Sequence, residues 1–195
     1  DSLSYASAEL MYSRADYKNA LNLFRQYLEE FPQGAYAVNA WYYQAVIYQN
    51  DNDYDNALDC YEKCASYENS RFCEESLNQA ASMAFTIGDY KSALNNYKRL
   101  ADRTVDINKR RNSYIGVVKS AMQFSDYNTL LAYVDKAVDL AQTELERNEL
   151  LCHKAKALLL VDRQDEALKL YEQLSADPRT AYGAESDYMV SLILY

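Results

Sequence analysis

A seven-residue phrase recurs along the chain at an almost fixed step, and this repetition constrains the fold more than any other feature. ADYKNAL at 15–21, NDYDNAL at 52–58 and GDYKSAL at 88–94 are copies of one another, and SDYNTLL at 125–131 and DRQDEAL at 162–168 are weaker ones. Anchored on Ala20, Ala57, Ala93, Leu130 and Ala167, the step is 36 or 37 residues. A fixed period of this size marks an array in which each unit hides its apolar face against its neighbours.

The spacing inside a unit is helical. Four residues after the anchors stand Phe24, Tyr61, Tyr97, Val134 and Tyr171, and seven after stand Tyr27, Cys64, Leu100, Ala137 and Leu174, so one helix face is apolar in every unit. Twelve residues before the anchors come Ala8, Ala45, Ala81, Val118 and Ala155, mostly small, inside segments that repeat the same spacing. Each unit is therefore a pair of helices. The small residue lets the first helix approach the second, and the Asp of the Asp-Tyr phrase offers a capping oxygen to the second helix. With 4 Gly and 2 Pro in 195 residues, turn-formers are too few for an all-β chain. The 20 Tyr, against 5 Phe and 1 Trp, suit large half-exposed surfaces, because a tyrosine packs its ring and keeps its hydroxyl wet.

The formal net charge of -9 repels phosphate backbones, which argues against a nucleic-acid partner. The run Lys109, Arg110, Arg111 is the local exception and reads as a solvated helix start. No stretch is apolar enough to span a bilayer. The chain opens at Asp1 rather than Met, which points to a processed or trimmed chain. Catalytic chemistry needs titratable groups that converge, and the sequence offers a single His153 and carboxylate pairs such as Glu29 and Glu30 that sit side by side on a helix without facing one another. Cys60, Cys64 and Cys73 read as small core residues, since Cys64 falls in a recurrent packing slot and no matching His or CxxC pair accompanies them. No catalytic residue, cofactor site or metal site is expected, and the chain reads as a non-enzyme.

The pattern resembles the tetratricopeptide repeat, carried best by Trp41, Ala45, Tyr48, Ala57 and Tyr61 and, in the first unit, by Ala8, Ala20, Phe24 and the closing Pro32. The departures are a period of 36 to 37 rather than 34, Leu130 at the fourth anchor and Gln164 in place of the turn tyrosine. The resemblance implies an all-α tetratricopeptide α-solenoid, a right-handed superhelix of antiparallel helix pairs with about 11 helices. The expected organisation is one array over 1–195, with units at 2–34, 38–70, 74–107, 111–143 and 148–177 and the first helix of a sixth at 180–195. That last helix has apolar side chains all round, among them Met189, Val190, Leu192, Ile193 and Leu194, whereas a terminal repeat normally has a polar outer face. Continuation of the chain or self-association at this end is the expectation.

The resemblance further implies that first helices line a concave groove in which partners bind. Carried over residue by residue, the groove comprises Tyr5, Glu9 and Tyr12; Asn39, Tyr42, Val46 and Gln49; Asn78, Ser82 and Phe85; Ile115, Lys119 and Met122; and Cys152, Lys156 and Leu159. Aromatic bodies beside amides and hydroxyls suit an extended peptide or a helix of a protein partner. Where some members of the family grip a C-terminal carboxylate with Lys and Asn, this chain has Glu9, Val46 and Ser82, which disfavours a chaperone-tail adaptor. Residues 24–43 resemble repeats of bacterial envelope proteins of the outer-membrane-assembly lipoprotein and Tol-Pal coordinator types, which implies a scaffold in the periplasm or at the outer membrane; a cytoplasmic setting is the alternative. A glycan-binding module is the alternative function, since tyrosine faces also stack on sugar rings.

Overall fold

The computed structural model describes residues 1–177 and 180–195. Pro178 and Arg179, between the fifth helix pair and the last helix, lie outside the described residues. Among the described residues are eleven α-helices and no strand: α1 (Ser2–Ser13), α2 (Tyr17–Glu30), α3 (Ala37–Asn50), α4 (Tyr54–Ala65), α5 (Cys73–Thr86), α6 (Tyr90–Arg103), α7 (Ile107–Phe124), α8 (Tyr127–Leu140), α9 (Glu144–Leu160), α10 (Gln164–Leu174) and α11 (Ala181–Leu194). The chain divides into two compact halves, Asp1–Asn96 and Tyr97–Tyr195.

The recurrent phrase builds the turn inside every helix pair. Its first residue takes the left-handed conformation in all five copies, at Ala15, Asn52, Gly88, Ser125 and Asp162, with φ between 58° and 82°. The next amide then reaches back five residues, from Asp16 to the Met11 carbonyl, Asp53 to Tyr48, Asp89 to Ala84, Asp126 to Ala121 and Arg163 to Leu158. This is the Schellman closure, which satisfies carbonyls that the first helix leaves unpaired. The Asp carboxylate caps the second helix at once: Asp16, Asp53, Asp89 and Asp126 accept from the backbone amides of Asn19, Asn56, Ser92 and Thr129 at 3.1–3.4 Å. The side chains of those four partners donate to the other carboxylate oxygen at 2.6–2.7 Å. In the fifth copy Arg163 stands in the Asp position, and its guanidinium pairs with Glu166 instead.

Small and large residues alternate in the core as the period requires. Ala8, Ala45, Ala81, Val118 and Ala155 on first helices and Ala20, Ala57, Ala93, Leu130 and Ala167 on second helices are all fully buried. Phe24, Tyr61, Val134 and Tyr171 fill the space beside them and are themselves at most 2% exposed. Tyr97 is half-buried and lies flat on Gly116 of α7, where a Cβ would stand 2.6 Å from the ring. The glycine is thus the small partner that this large ring needs.

Two helices start earlier than the repeat units drawn from sequence. α7 begins at Ile107 rather than near 111 because Asp106 accepts from the amides of Asn108 and Lys109. α9 begins at Glu144 rather than near 148 because the Thr143 hydroxyl accepts from the Glu146 amide. The basic run at 109–111 falls in the first turns of α7, where the Asp106 carboxylate offsets its repulsion by the helix dipole. In α11, Tyr182, Met189, Val190 and Ile193 pack on the core of α9 and α10, while Tyr188, Leu192 and Leu194 are exposed. No helix of the described residues is long and apolar enough to cross a membrane.

Two glycine exchanges should move stability in opposite directions. Ala15→Gly relieves a side chain from the left-handed region and should stabilise by about 0.5–1 kcal/mol. Gly116→Ala drives a methyl into the Tyr97 ring and should destabilise by about 1 kcal/mol net of the helix propensity it gains. Guanidinium-induced unfolding followed by circular dichroism reads both; shifts of the same sign would refute the turn and packing assignments.

Candidate functional site

In the N-terminal half, helices α1, α3 and α5 present a face of half-buried rings and amides. Tyr12 of α1 meets Tyr43 of α3 with ring centroids 4.7 Å apart and takes Tyr17 edge-on at 5.4 Å. Tyr42 of α3 stacks on Phe72, the residue that precedes α5, at 4.5 Å and 23°, and Arg71 lays its guanidinium over the same Phe72 ring at 4.7 Å. Phe85 and Tyr90 meet edge-on at 5.2 Å. These pairs hold the rings in fixed orientations, so little rotamer freedom is left to lose on contact with a partner.

A directed chain of hydrogen bonds runs along the same face. The Tyr61 hydroxyl donates to the Gln49 carbonyl oxygen at 2.5 Å, the Gln49 amide donates to Gln79 at 3.1 Å, and the Gln79 amide donates to the Glu75 carboxylate at 2.9 Å. Each link points toward the carboxylate, which can only accept, so the amide orientations are fixed by the end of the chain. Burial, and after it the charge of Glu75, raises the Tyr42 hydroxyl above its ordinary value. In the C-terminal half Tyr171 occupies the position of Tyr61, but Leu159 stands where Gln49 would, and the buried Tyr171 hydroxyl has no hydrogen-bond partner among the described residues.

The expected groove residues distribute unevenly. Tyr12, Asn39, Tyr42, Val46, Gln49, Ser82 and Phe85 are half-buried on the first helices of the N-terminal half, and Glu9 and Asn78 are exposed. Tyr5 departs from the expectation. It is 4% exposed, stacked on Tyr36 at 4.4 Å and packed edge-on to Tyr27, so its ring belongs to the core and only its hydroxyl reaches out, to Glu9 at 3.4 Å. Gln79, which the expected groove omits, receives the Gln49 amide and passes its own to Glu75, while Asn78 of the expected set is exposed on the same helix.

In the C-terminal half the first-helix positions that correspond to the expected groove carry ion pairs and aliphatic side chains. Lys119 of α7 pairs with Glu149 of α9 at 3.8 Å, and Lys156 of α9 pairs with Glu185 of α11 at 2.9 Å. Ile115, Met122 and Leu159 are half-buried between these charges, whereas Cys152 is buried and unavailable to a partner. His153 lies 4.0 Å from Glu149, with its Nδ1 buried and unpartnered among the described residues. Burial lowers its pKa; Glu149 opposes this, and the nearby Lys156 and Lys119 add to it.

The cysteines of the N-terminal half are packing residues. Cys60, Cys64 and Cys73 are buried; the Cys64 thiol approaches the Val38 carbonyl at 3.7 Å and Cys73 that of Ala65 at 3.3 Å. Burial pushes the Cys60 thiol up to about 12 and Cys64 up to about 11, which keeps both protonated. Cys60 also borders a cavity of about 770 Å³ between α2 and α4, floored by Trp41, Gln44 and Tyr48 of α3. Trp41, Gln44 and Tyr48 lie on the opposite side of α3 from Tyr42, Val46 and Gln49, so this cavity is separate from the tyrosine face. Nothing in the repeat pattern signals it.

Residues 1–34 and 38–70 each match the tetratricopeptide repeat family. A TPR repeat-containing protein of Methanocaldococcus jannaschii is 32% identical over 101 residues, which cover 50% of this chain and 31% of that protein. The match thus spans about a third of that relative's length. Among solved structures, YrrB, described as a TPR protein with an unusual peptide-binding site, aligns over 95% of this chain and 90% of its own with a TM-score of 0.61 and 13% identity. A tetratricopeptide repeat protein of Parabacteroides merdae aligns over 98% of this chain and 74% of its own with a TM-score of 0.56 and 15% identity. At these identities the likeness is one of fold. Residues 1–34 and 38–70 thus match two repeats of this family, within an all-helical fold that the chain shares with the solved structures.

The setting of His153 gives stability a defined pH dependence. Its folded-state pKa lies below the unfolded value of about 6.5, so the unfolded chain binds the extra proton first. Stability is complete above that pH and is lost as pH falls below it. Melting temperatures at pH 7.5 and 5.5, values chosen to lie about one unit either side of that pKa, should therefore differ more in the parent chain than in His153→Gln. Equal losses in both would remove His153 from the account.

Proposed function

We propose that this chain is a non-catalytic interaction scaffold that holds an extended peptide or a helix of a protein partner against the first-helix face of residues 1–96. The observation that carries the reading is the juxtaposition of oriented, half-buried rings at Tyr12, Tyr42 and Phe85 with the amide chain from Gln49 to Glu75. Rings supply contact area at small entropic cost, and amides with a wet edge can read a peptide backbone. Proteins built of this repeat generally mediate protein–protein interactions, and the peptide-binding site of YrrB, whose fold this chain shares, supports the choice of ligand class. The ion-paired face of residues 97–195 is the secondary candidate, through Ile115, Lys119, Met122, Lys156 and Leu159.

An envelope setting, in the periplasm or at the outer membrane, is the part of this reading supported by the sequence of residues 24–43 alone. Fractionation of cells producing the natively targeted protein tests it, and recovery in the cytosolic fraction would reject it.

The double variant Tyr42→Ala with Phe85→Ala removes two anchors whose rings are half-exposed. Each ring at a binding centre is worth on the order of 1–2 kcal/mol, so partner capture should fall by roughly tenfold or more. Affinity pull-down compared by quantitative mass spectrometry, with helicity checked by circular dichroism, reads the effect. Unchanged partners would overturn the assignment of the face, and saturable sugar binding by the parent chain on a glycan array would favour the glycan-binding module instead.

A further inference from the structure

The charges of the N-terminal half are segregated between its helix layers. Helices α1, α3 and α5 contain Glu9, Glu74 and Glu75 and no Lys or Arg at all. The six cations of residues 1–96 are Arg14, Lys18, Arg25, Lys63, Arg71 and Lys91, and all fall on second helices or in connections. The first-helix face of this half is thus an aromatic surface edged by carboxylates. Glu9 accepts from the Tyr5 hydroxyl and Glu75 from the Gln79 amide, both neutral donors, and neither meets a Lys or Arg among the described residues. The corresponding face of the C-terminal half differs, because Lys119 and Lys156 there engage Glu149 and Glu185 within the fold.

Two uncompensated carboxylates beside oriented rings are an unfavourable field for an acidic segment and a favourable one for a cation. A cation over a ring face is attracted by the ring quadrupole, and a carboxylate nearby adds to that attraction. The fold already contains one such arrangement at the edge of the face, where Arg71 lies over the Phe72 ring that stacks on Tyr42. Tyr12, Tyr42 and Phe85 have partly open rings, and among the described residues no cation of the chain lies over them.

We infer that the partner segment held by this face is cationic: an extended stretch carrying Lys or Arg, with a cation seated over the Tyr12 and Tyr42 rings between Glu9 and Glu75. The inference rests on the proposed peptide-binding role of the face and specifies its ligand. It follows that binding weakens with ionic strength, since the carboxylates are near solvent and screened by salt.

Fluorescence anisotropy of the full chain with three sets of labelled peptides tests it. The peptides are about ten residues long, which when extended reach roughly 33 Å, and share a Tyr- and Ala-containing frame in which every third residue is Lys or Arg, Gln, or Glu. The cationic set should bind roughly tenfold or more tightly than the Gln set, and the Glu set should bind least. Glu75→Gln and Glu9→Gln keep an acceptor oxygen at each position while removing its charge. Combined, they should erase the preference for Lys and Arg, so that within the variant the cationic set binds no more tightly than the Gln set. Equal or tighter binding of the Gln or Glu sets would overturn the cationic assignment and leave the peptide-binding reading standing. Binding of none of the three sets, at any salt concentration, would overturn both.

Discussion

Every higher feature of this molecule depends on the close approach of two helices across small side chains. Alanine or valine at 8, 45, 81, 118 and 155 and alanine or leucine at 20, 57, 93, 130 and 167 have no exposed surface, so the helix backbones meet where these residues stand. Next to each meeting point a ring or a valine fills the remaining space, as Phe24, Tyr61, Val134 and Tyr171 do. Interiors packed to this density tolerate neither a gap nor an added methyl without cost. Beside the third anchor, Ala93, the large partner is Tyr97, and α7 carries Gly116 to admit its ring. The period is the visible record of this compensation between small and large.

The turn makes the approach reproducible. A left-handed residue followed by a capping Asp fixes both the end of the first helix and the start of the second, so the pair closes in the same way four times. The fifth pair keeps the backbone closure while exchanging the cap for an ion pair between Arg163 and Glu166. With the pairs fixed in this way, the outward residues of the first helices are left without packing duties and can serve a surface. In the N-terminal half that surface is aromatic and acidic; in the C-terminal half it is laced by Lys119, Glu149, Lys156 and Glu185.

The pairs, their turns and their core were legible in the sequence because each rests on a residue type at a fixed interval. The surface was less legible. On a helix successive side chains are turned by about 100°, and counting one face from the small residue omitted Gln79 and Glu75, which continue the hydrogen-bond chain from Gln49, and placed Tyr5 on the groove when its ring lies in the core. The early starts of α7 and α9 depend on Asp106 and Thr143, capping residues that lie outside the repeated phrase. The cavity over Trp41 and Tyr48 is formed by three helices together, and no local pattern announces it. Charge segregation, by contrast, was present in the sequence but acquires meaning only once first and second helices are known to form different faces.

The most direct measurement is amide chemical-shift mapping of the full chain titrated with a lysine-containing extended peptide. A binding face made by the first helices requires that the shifts concentrate in α1, α3 and α5, around Tyr12, Tyr42, Gln49 and Glu75. Shifts concentrated instead around Trp41, Tyr48 and Lys63, in the cavity between α2 and α4, would contradict the account and move the binding site to the opposite side of α3.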